Sequence, residues 1–481
     1  IDQAKRTRQP HNKARETFVR TMLMALRDRY AEQLDYTPSD DELNEALTNL
    51  RLNDKVRVTL NLAWLPMNGT WRIDNLWSHP LRLRALAPWL DDDGIAALTR
   101  PKGAPMTQSD VPLLDEAMEL LGPDPKIAAQ IAAKNAKRAQ EEQFAQDTLN
   151  SVVRDGVIDL SEMGLSDEEI QGLSQIYMVA CGSAYHAAMS AQYVIEDLAK
   201  IPVRVELASE FRYRTLLLDK KGLVVLVSQS GETADTLAAL REAKSMGIRT
   251  LAIVNVVGSS IAREADNVFY TLAGPEISVA TTKAYSTQLL ACDILAVQFA
   301  KVRGAIDEDR YKSLIAEMGT LPEKITRILQ DKERLQWFAS KQAAAHDVFF
   351  IGRGIDYAIS LEGSLKMKEI SYIHSEAYAA GELKHGTISL IEDGTLVIGI
   401  LTQSDLYEKT VSNMVECKSR GAYLMGLTTY GHYNIEDTAD FVTYIPKTDE
   451  HFAASLAVIP LQLIGYYVSV ARGLDVDKPR N

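Results

Sequence analysis

A chain of 481 residues, 46% of them hydrophobic, has room for about three domains and for sizeable buried cores. Its net charge of −13 argues against a general nucleic-acid binder. Cys181, Cys292 and Cys417 are odd in number and far apart in apolar surroundings, suggesting neither a disulfide framework nor a zinc cluster; with no signal-like N-terminus and no uninterrupted apolar stretch of about 20 residues, a soluble cytoplasmic protein without membrane contact is expected.

Residues 1–149 differ in texture from the rest and hold Trp64, Trp71, Trp77 and Trp89, four of the five tryptophans. Apolar spacing predicts helices from Phe18 to Leu34 and from Asp110 to Leu121, the latter starting at Ser109-Asp110 ahead of Pro112. Residues 127–149, rich in Ala, Lys, Gln and Glu, read as an exposed or linking helix. The string Asp110-Val111-Pro112-Leu113-Leu114-Asp115-Glu116-Ala117 resembles an interior helical part of actinobacterial helicases that act on RNA polymerase. The phosphate loop and acidic strand of such motors are missing, so 1–149 reads as a helical module without motor motifs; an unrelated helical domain is the plainer alternative. No residue pattern supports contact between this module and nucleic acid or RNA polymerase. A fusion near residue 149, natural or artefactual, would account for the change of texture.

From about Asp155 the pattern turns to α/β. Strands are expected at Ile176–Ala180, Val203–Leu207, Leu223–Val227, Thr250–Val254 and Asn267–Leu272. Helices are expected at Ser183–Leu198, Asp235–Met246, around Ser260 and from Thr281 to about Val302. Strands nearly continuous in apolar residues, alternating with helices, imply a parallel sheet covered on both faces. A charged helical connector over 306–335 separates this first domain, 150–305, from a second of similar order, 336–481. The second has strands at Asp347–Ile351, Leu396–Leu401, Ala422–Leu427 and Phe441–Ile445. Its expected helices are Tyr357–Ile373, Asp405–Ser419 and Ala453–Ala471. The repetition points to a duplicated α/β domain.

Ser228-Gln229-Ser230-Gly231-Glu232-Thr233 lies between an apolar strand and a helix, the layout of an anion site: hydroxyls, free backbone N–H groups and a helix dipole favour a phosphate. An ordinary N-cap explains the same residues, and on this string alone both readings stand. Lys366 and Glu369, three apart on a helix, face the same way, so they read either as an ion pair on a solvated face or as an acid–base pair. His385 sits in the loop string Glu382-Leu383-Lys384-His385-Gly386, while His374, at the end of the apolar helix, is assigned to structure.

Taken together, Cys181-Gly182-Ser183, 208–214, 228–236, 279–284, 361–370, 376–386 and 475–481 resemble the isomerase half of the glucosamine-6-phosphate synthases. The resemblance runs from about 150 to 481 and implies two sugar-isomerase (SIS) domains acting on fructose 6-phosphate to give glucosamine 6-phosphate, without metal or cofactor, in a homodimer. It implies that Ser183, Ser228, Gln229, Ser230 and Thr233 hold the phosphate. Cys181, Gly182, Val279, Ala280 and Thr281 would hold the sugar, and Glu369 would move a proton between C1 and C2 with help from Lys366. His385, delivered from the neighbouring subunit, would open the ring. Three departures stand out: Ile1 where the synthases place a nucleophilic cysteine, so that glutaminase activity is expected to be absent; Ala184 where many members carry a hydroxyl; and a chain ending before the family's terminal lysine. A non-catalytic, sugar-phosphate-binding regulator is the competing expectation.

Overall fold

The computed structural model describes every residue except 1, 6–8, 35, 37, 40–41, 44–45, 48, 51–52, 65–68, 105–112, 114–115, 118–119, 122–147, 151, 155 and 481. The chain divides into two compact units, Ile1–Arg138 and Ala139–Asn481. The expected helix start at Ser109-Asp110 and residues 127–147 of the expected helix 127–149 lie outside the described residues.

The first unit is helical where described: α1 (His11–Ala31), α2 (Asp54–Ala63), α3 (Gly69–Trp77), α4 (Pro80–Leu86) and α5 (Asp92–Leu98). Phe18 and Leu23 on α1 are buried with Leu60 of α2, and the Phe18 and Trp64 rings lie 5.6 Å apart. The Asn53 carboxamide caps α2, and the Asp91 carboxylate caps α5 through Gly94 N–H, satisfying donors that a helix start leaves free. This is a small core of few side chains.

The second unit opens with a two-stranded hairpin, β1 (Val153–Arg154) and β2 (Val157–Ile158), then α6 (Asp167–Gly172), started by a Ser166–Glu169 capping box. The first domain follows as β3 (Gln175–Ala180), α7 (Gly182–Ala199), β4 (Val203–Leu207), α8 (Ala208–Phe211), β5 (Gly222–Ser228), α9 (Ala234–Ser245), β6 (Arg249–Val254), α10 (Ser260–Glu264), β7 (Asn267–Tyr270) and α11 (Lys283–Val302). Next come α12 (Glu308–Gln330) and α13 (Lys332–Gln342). The second domain comprises β8 (Asp347–Gly352), α14 (Ile355–Lys366), β9 (His374–Ala379), β10 (Leu396–Leu401), α15 (Tyr407–Lys418), β11 (Tyr423–Thr429), β12 (Phe441–Ile445) and α16 (Ala453–Ala471).

Both sheets are five-stranded and parallel, in the matching orders β4-β3-β5-β6-β7 and β9-β8-β10-β11-β12. The duplication read from the sequence is therefore a duplication of topology. Alternate residues of one strand serve two cores: Ile176, Met178 and Ala180 of β3 face one cluster, while Tyr177 and Val179 face another. The first of these cores is shared, because α7 packs on α11 and α14, and α14 packs on α16. Pro202 precedes β4, an edge strand, where its missing N–H costs no ladder bond.

Two expectations need correction. The helix expected over Tyr357–Ile373 ends at Lys366 and continues only as a π turn, Met367–Ser371; Tyr372 then turns the chain at φ 58°. His374, placed at the end of that helix from its apolar pattern, instead opens β9, an edge strand the pattern conceals, and is exposed there. Among the described helices only α16 is long and apolar enough to cross a bilayer, with a mean hydropathy of 1.6 in the span Glu450–Ala471; 78% of its most apolar part is buried, as in a core helix, and the expectation of no membrane contact is not overturned.

Candidate active site

The sheet of the first domain changes direction of travel between β3 and β5, and a crevice opens at the carboxyl ends of these strands. Two helices, α7 and α9, begin at that edge and aim their N-terminal dipoles at it. Between them lies a cavity of about 390 Å³. Its wall carries Cys181, Ser183, Ser228, Gln229, Ser230, Thr233, Val279 and Thr281, eight of the residues singled out in the sequence. Gly182 and Ala280 are not on the wall: Gly182 supplies the turn at φ 57° and Ala280 is buried behind the loop.

The turn after β5 is held from within. Gly231 adopts φ 65°, and a Cβ there would come within 2.0 Å of Ser259 Oγ, so only glycine fits. Its N–H donates to Ser228 Oγ at 3.1 Å, and Ser228 Oγ lies 3.2 Å from Thr233 Oγ1. Thr233 precedes α9, yet its side chain caps no helical N–H. The N-cap explanation of this string therefore fails, and the hydroxyls border the cavity instead.

Sequence reasoning missed Glu276, Ser278 and Gln288 on the same wall. Glu276 accepts from Thr281 Oγ1 at 3.0 Å, Thr282 N at 3.3 Å and Ala284 N at 3.2 Å, so it caps α11 and fixes the loop ahead of it. That helix starts at Lys283, two residues later than expected. The tail packs on this loop, Ser278 Oγ donating to Val476 O at 3.4 Å and Val279 N to Asp477 O at 3.4 Å.

Charged side chains of the second domain reach Ser183 from behind the wall; Glu362, Lys366 and Glu369 do not line the cavity themselves. Lys366 is 1% exposed, which overturns the solvated-face reading: burial on α14 forces its ammonium onto carboxylates. It is ion-paired with Glu369 on the π turn, and its Nζ lies 3.5 Å from Glu362 Oε1. Glu362, fully buried, also accepts from Ser183 Oγ at 2.9 Å and pairs with His186 Nδ1 at 2.8 Å. Ser183, Glu362, Lys366 and Glu369 thus form a continuous chain from the cavity wall of one domain to a carboxylate of the other. The Glu362–Lys366 spacing of four was visible in the sequence; its pairing with Ser183 and His186, far away in the chain, was not. His385 is exposed in a 3₁₀ turn, Leu383–His385, and is not on the cavity wall of its own chain.

The matching turns of the second domain carry different residues. Through the parallel registers Ser183, Ser228 and Thr233 correspond to Ile355, Leu401 and Leu406, so three hydroxyls have become aliphatic. Asp356 takes the place of Ala184 and accepts from Thr402 N at 2.9 Å and Thr402 Oγ1 at 2.5 Å. Burial raises its pKa to about 6 against the pull of those donors. The chain's own carboxylate occupies the donors of that turn.

Comparison with known proteins agrees with two α/β domains. The SIS domain family model matches residues 169–298 and 343–472. A glutamine–fructose-6-phosphate aminotransferase (isomerizing) of Clostridium tetani is 53% identical over 343 residues, 71% of this chain and 56% of that protein. The chain thus spans a little over half the length of the curated relatives it matches. Among solved structures, the C-terminal domain of the Francisella tularensis glucosamine-fructose-6-phosphate aminotransferase is 35% identical with a TM-score of 0.68, and 71% of this chain covers 96% of it. A glucosamine-6-phosphate deaminase of Thermotoga maritima is 25% identical, with a TM-score of 0.54 over 71% of this chain and 98% of its own.

Proposed function

Because the chain belongs to the SIS-domain family, as an isomerase half of the glutamine–fructose-6-phosphate aminotransferase kind, we propose that it isomerises fructose 6-phosphate and, given ammonia, converts it to glucosamine 6-phosphate. The observation that carries this reading is the continuous chain from Ser183, on a hydroxyl-lined cavity, to Glu369. In this reading the phosphate sits on Ser183, Ser228, Gln229, Ser230 and Thr233, and the sugar lies along Cys181 and the loop from Val279 to Thr281. Phosphate contacts remote from the reacting carbons hold C1 near its base. Glu369 takes a proton from C1 and returns it to C2, a step that one carboxylate can serve on both carbons; such groups contribute roughly 10²–10⁴-fold. Lys366 steadies that carboxylate and the charge developing on the substrate oxygen.

The ring-opening histidine is His385 supplied by the partner in a homodimer, consistent with its exposure in its own chain. Glutamine hydrolysis is not assigned to this chain. Cys292 and Cys417 are buried, and burial pushes both thiols up, Cys417 to about 12, so neither is poised as a nucleophile. Cys181 faces the sugar cavity. Three free thiols fit a reducing cytoplasm.

The test is turnover of fructose 6-phosphate by the 481-residue chain with glutamine, with ammonium and with neither. Glucose 6-phosphate is expected without a nitrogen donor and glucosamine 6-phosphate with ammonium. Equal amination with glutamine would refute the assignment of the cysteines, and no conversion under any condition would favour a sugar-phosphate-binding regulator.

A further inference from the structure

Glu362 is a fully buried carboxylate, a state that is costly unless its oxygens are well satisfied. Its donors come from both domains: Ser183 Oγ at 2.9 Å and His186 Nδ1 at 2.8 Å from α7, and Lys366 Nζ at 3.5 Å from its own helix. An ionised carboxylate only accepts, so the proton of this contact is on His186 Nδ1. Lys366 is divided between Glu362 and Glu369. The Ser183 hydroxyl has one proton, given to Glu362 here, yet the same side chain faces the cavity. A phosphate bound at that wall competes for this proton. Once it is taken, Glu362 keeps only His186 and Lys366.

We propose that His186 is a positioning residue: by anchoring Glu362 it keeps Lys366 shared with Glu369, and so keeps the base aligned when the phosphate occupies the cavity. Without the imidazole, Lys366 is drawn onto Glu362 and Glu369 loses its partner. No bond is made or broken at His186, and its effect reaches the substrate only through Glu362, Lys366 and Glu369. The inference rests on the isomerase reading above and adds a residue that touches neither phosphate nor reacting carbons in it.

The experiment is steady-state isomerisation of fructose 6-phosphate by the wild type, His186→Leu and His186→Asn, each checked by thermal melting. His186→Leu is expected to lower kcat about tenfold with KM within about twofold, the split that separates positioning from binding. His186→Asn, which keeps an N–H for Glu362, is expected to recover kcat to within about threefold of the wild type. An unchanged kcat in the Leu variant, or an Asn variant as slow as the Leu variant, overturns the proposal. A wild type without turnover sinks the isomerase reading itself, and is recognised before any variant is compared. Should His186→Leu fail to fold, nitrogen NMR of the wild type decides. The expected state has Nδ1 protonated, with a signal that moves on adding inorganic phosphate. An Nε2–H tautomer, or a signal blind to phosphate, refutes it.

Discussion

At the scale of single residues, hydroxyl groups on the cavity and carboxylates behind it have separable tasks. With the phosphate bound as proposed, Ser228→Ala or Thr233→Ala removes one contact to it, a loss of about 1.5–3 kcal/mol, so KM for fructose 6-phosphate is expected to rise roughly tenfold or more. Their kcat should fall far less, and steady-state kinetics measures both; an unaltered KM would remove that side chain from the phosphate site. Ser228, Gln229, Ser230 and Thr233 were legible because a strand, a polar turn and a helix start share one short string. Lys366 and Glu369 were legible only as a pair. Nothing in spacing distinguishes a solvated ion pair from one buried against Glu362, because burial is decided by α7, nearly two hundred positions earlier. Glu362 itself looked like any polar residue of an amphipathic helix.

At the scale of elements, the turn after β5 depends on one glycine. Gly231→Ala must leave φ 65° or displace Ser259, since the added Cβ would lie 2.0 Å from its Oγ. A stability loss of about 1–3 kcal/mol is expected, read by chemical denaturation, together with a raised KM. The start of α14 is tied to the end of β10 by Asp356, whose pKa is raised to about 6, chiefly by burial. A carboxyl raised in the folded state contributes stability that is complete below its unfolded value and is lost as pH rises towards its folded value. The melting temperature of the wild type relative to Asp356→Asn should therefore be higher near pH 4 than near pH 7, by an amount on the order of 2 kcal/mol in free energy. A gap independent of pH would mean that Asp356 does not titrate in this range. Eight of the ten sheet strands could be placed from apolar runs and β4 from its short alternating one, but β9 could not. His374-Ser375-Glu376-Ala377-Tyr378-Ala379 is polar because it is an edge, and the π turn before it has no sequence signature of its own.

At the scale of the whole α/β unit, a duplicated fold carries hydroxyls at the turn of one sheet, and aliphatic side chains with the Asp356 carboxylate at the matching turn of the other. The two domains are joined by the shared core and also by His451, which lies 2.7 Å from Asp197 at the end of α7 and 2.6 Å from Asp449. Burial opposes charge on this imidazole, but the two carboxylates outweigh it and raise its pKa, while Asp449 falls to about 2. A raised histidine contributes stability below its unfolded pKa that disappears as pH rises through its folded one. His451→Gln is therefore expected to lower the melting temperature near pH 6 and to change it little near pH 9, by only about 1 kcal/mol because Asp197 is largely in water. The order of strands and helices announced the duplication; the contacts that join its halves come from residues too far apart in the chain for any pattern to connect. The central claim, that Glu369 carries hydrogen between C1 and C2 of a sugar phosphate held by the first domain, is tested most directly by proton NMR of fructose 6-phosphate in deuterated water. The wild type should wash deuterium into C1, and Glu369→Gln should slow this by roughly 10²-fold or more while binding the sugar phosphate with near-unchanged affinity. Equal exchange by both proteins would contradict the account.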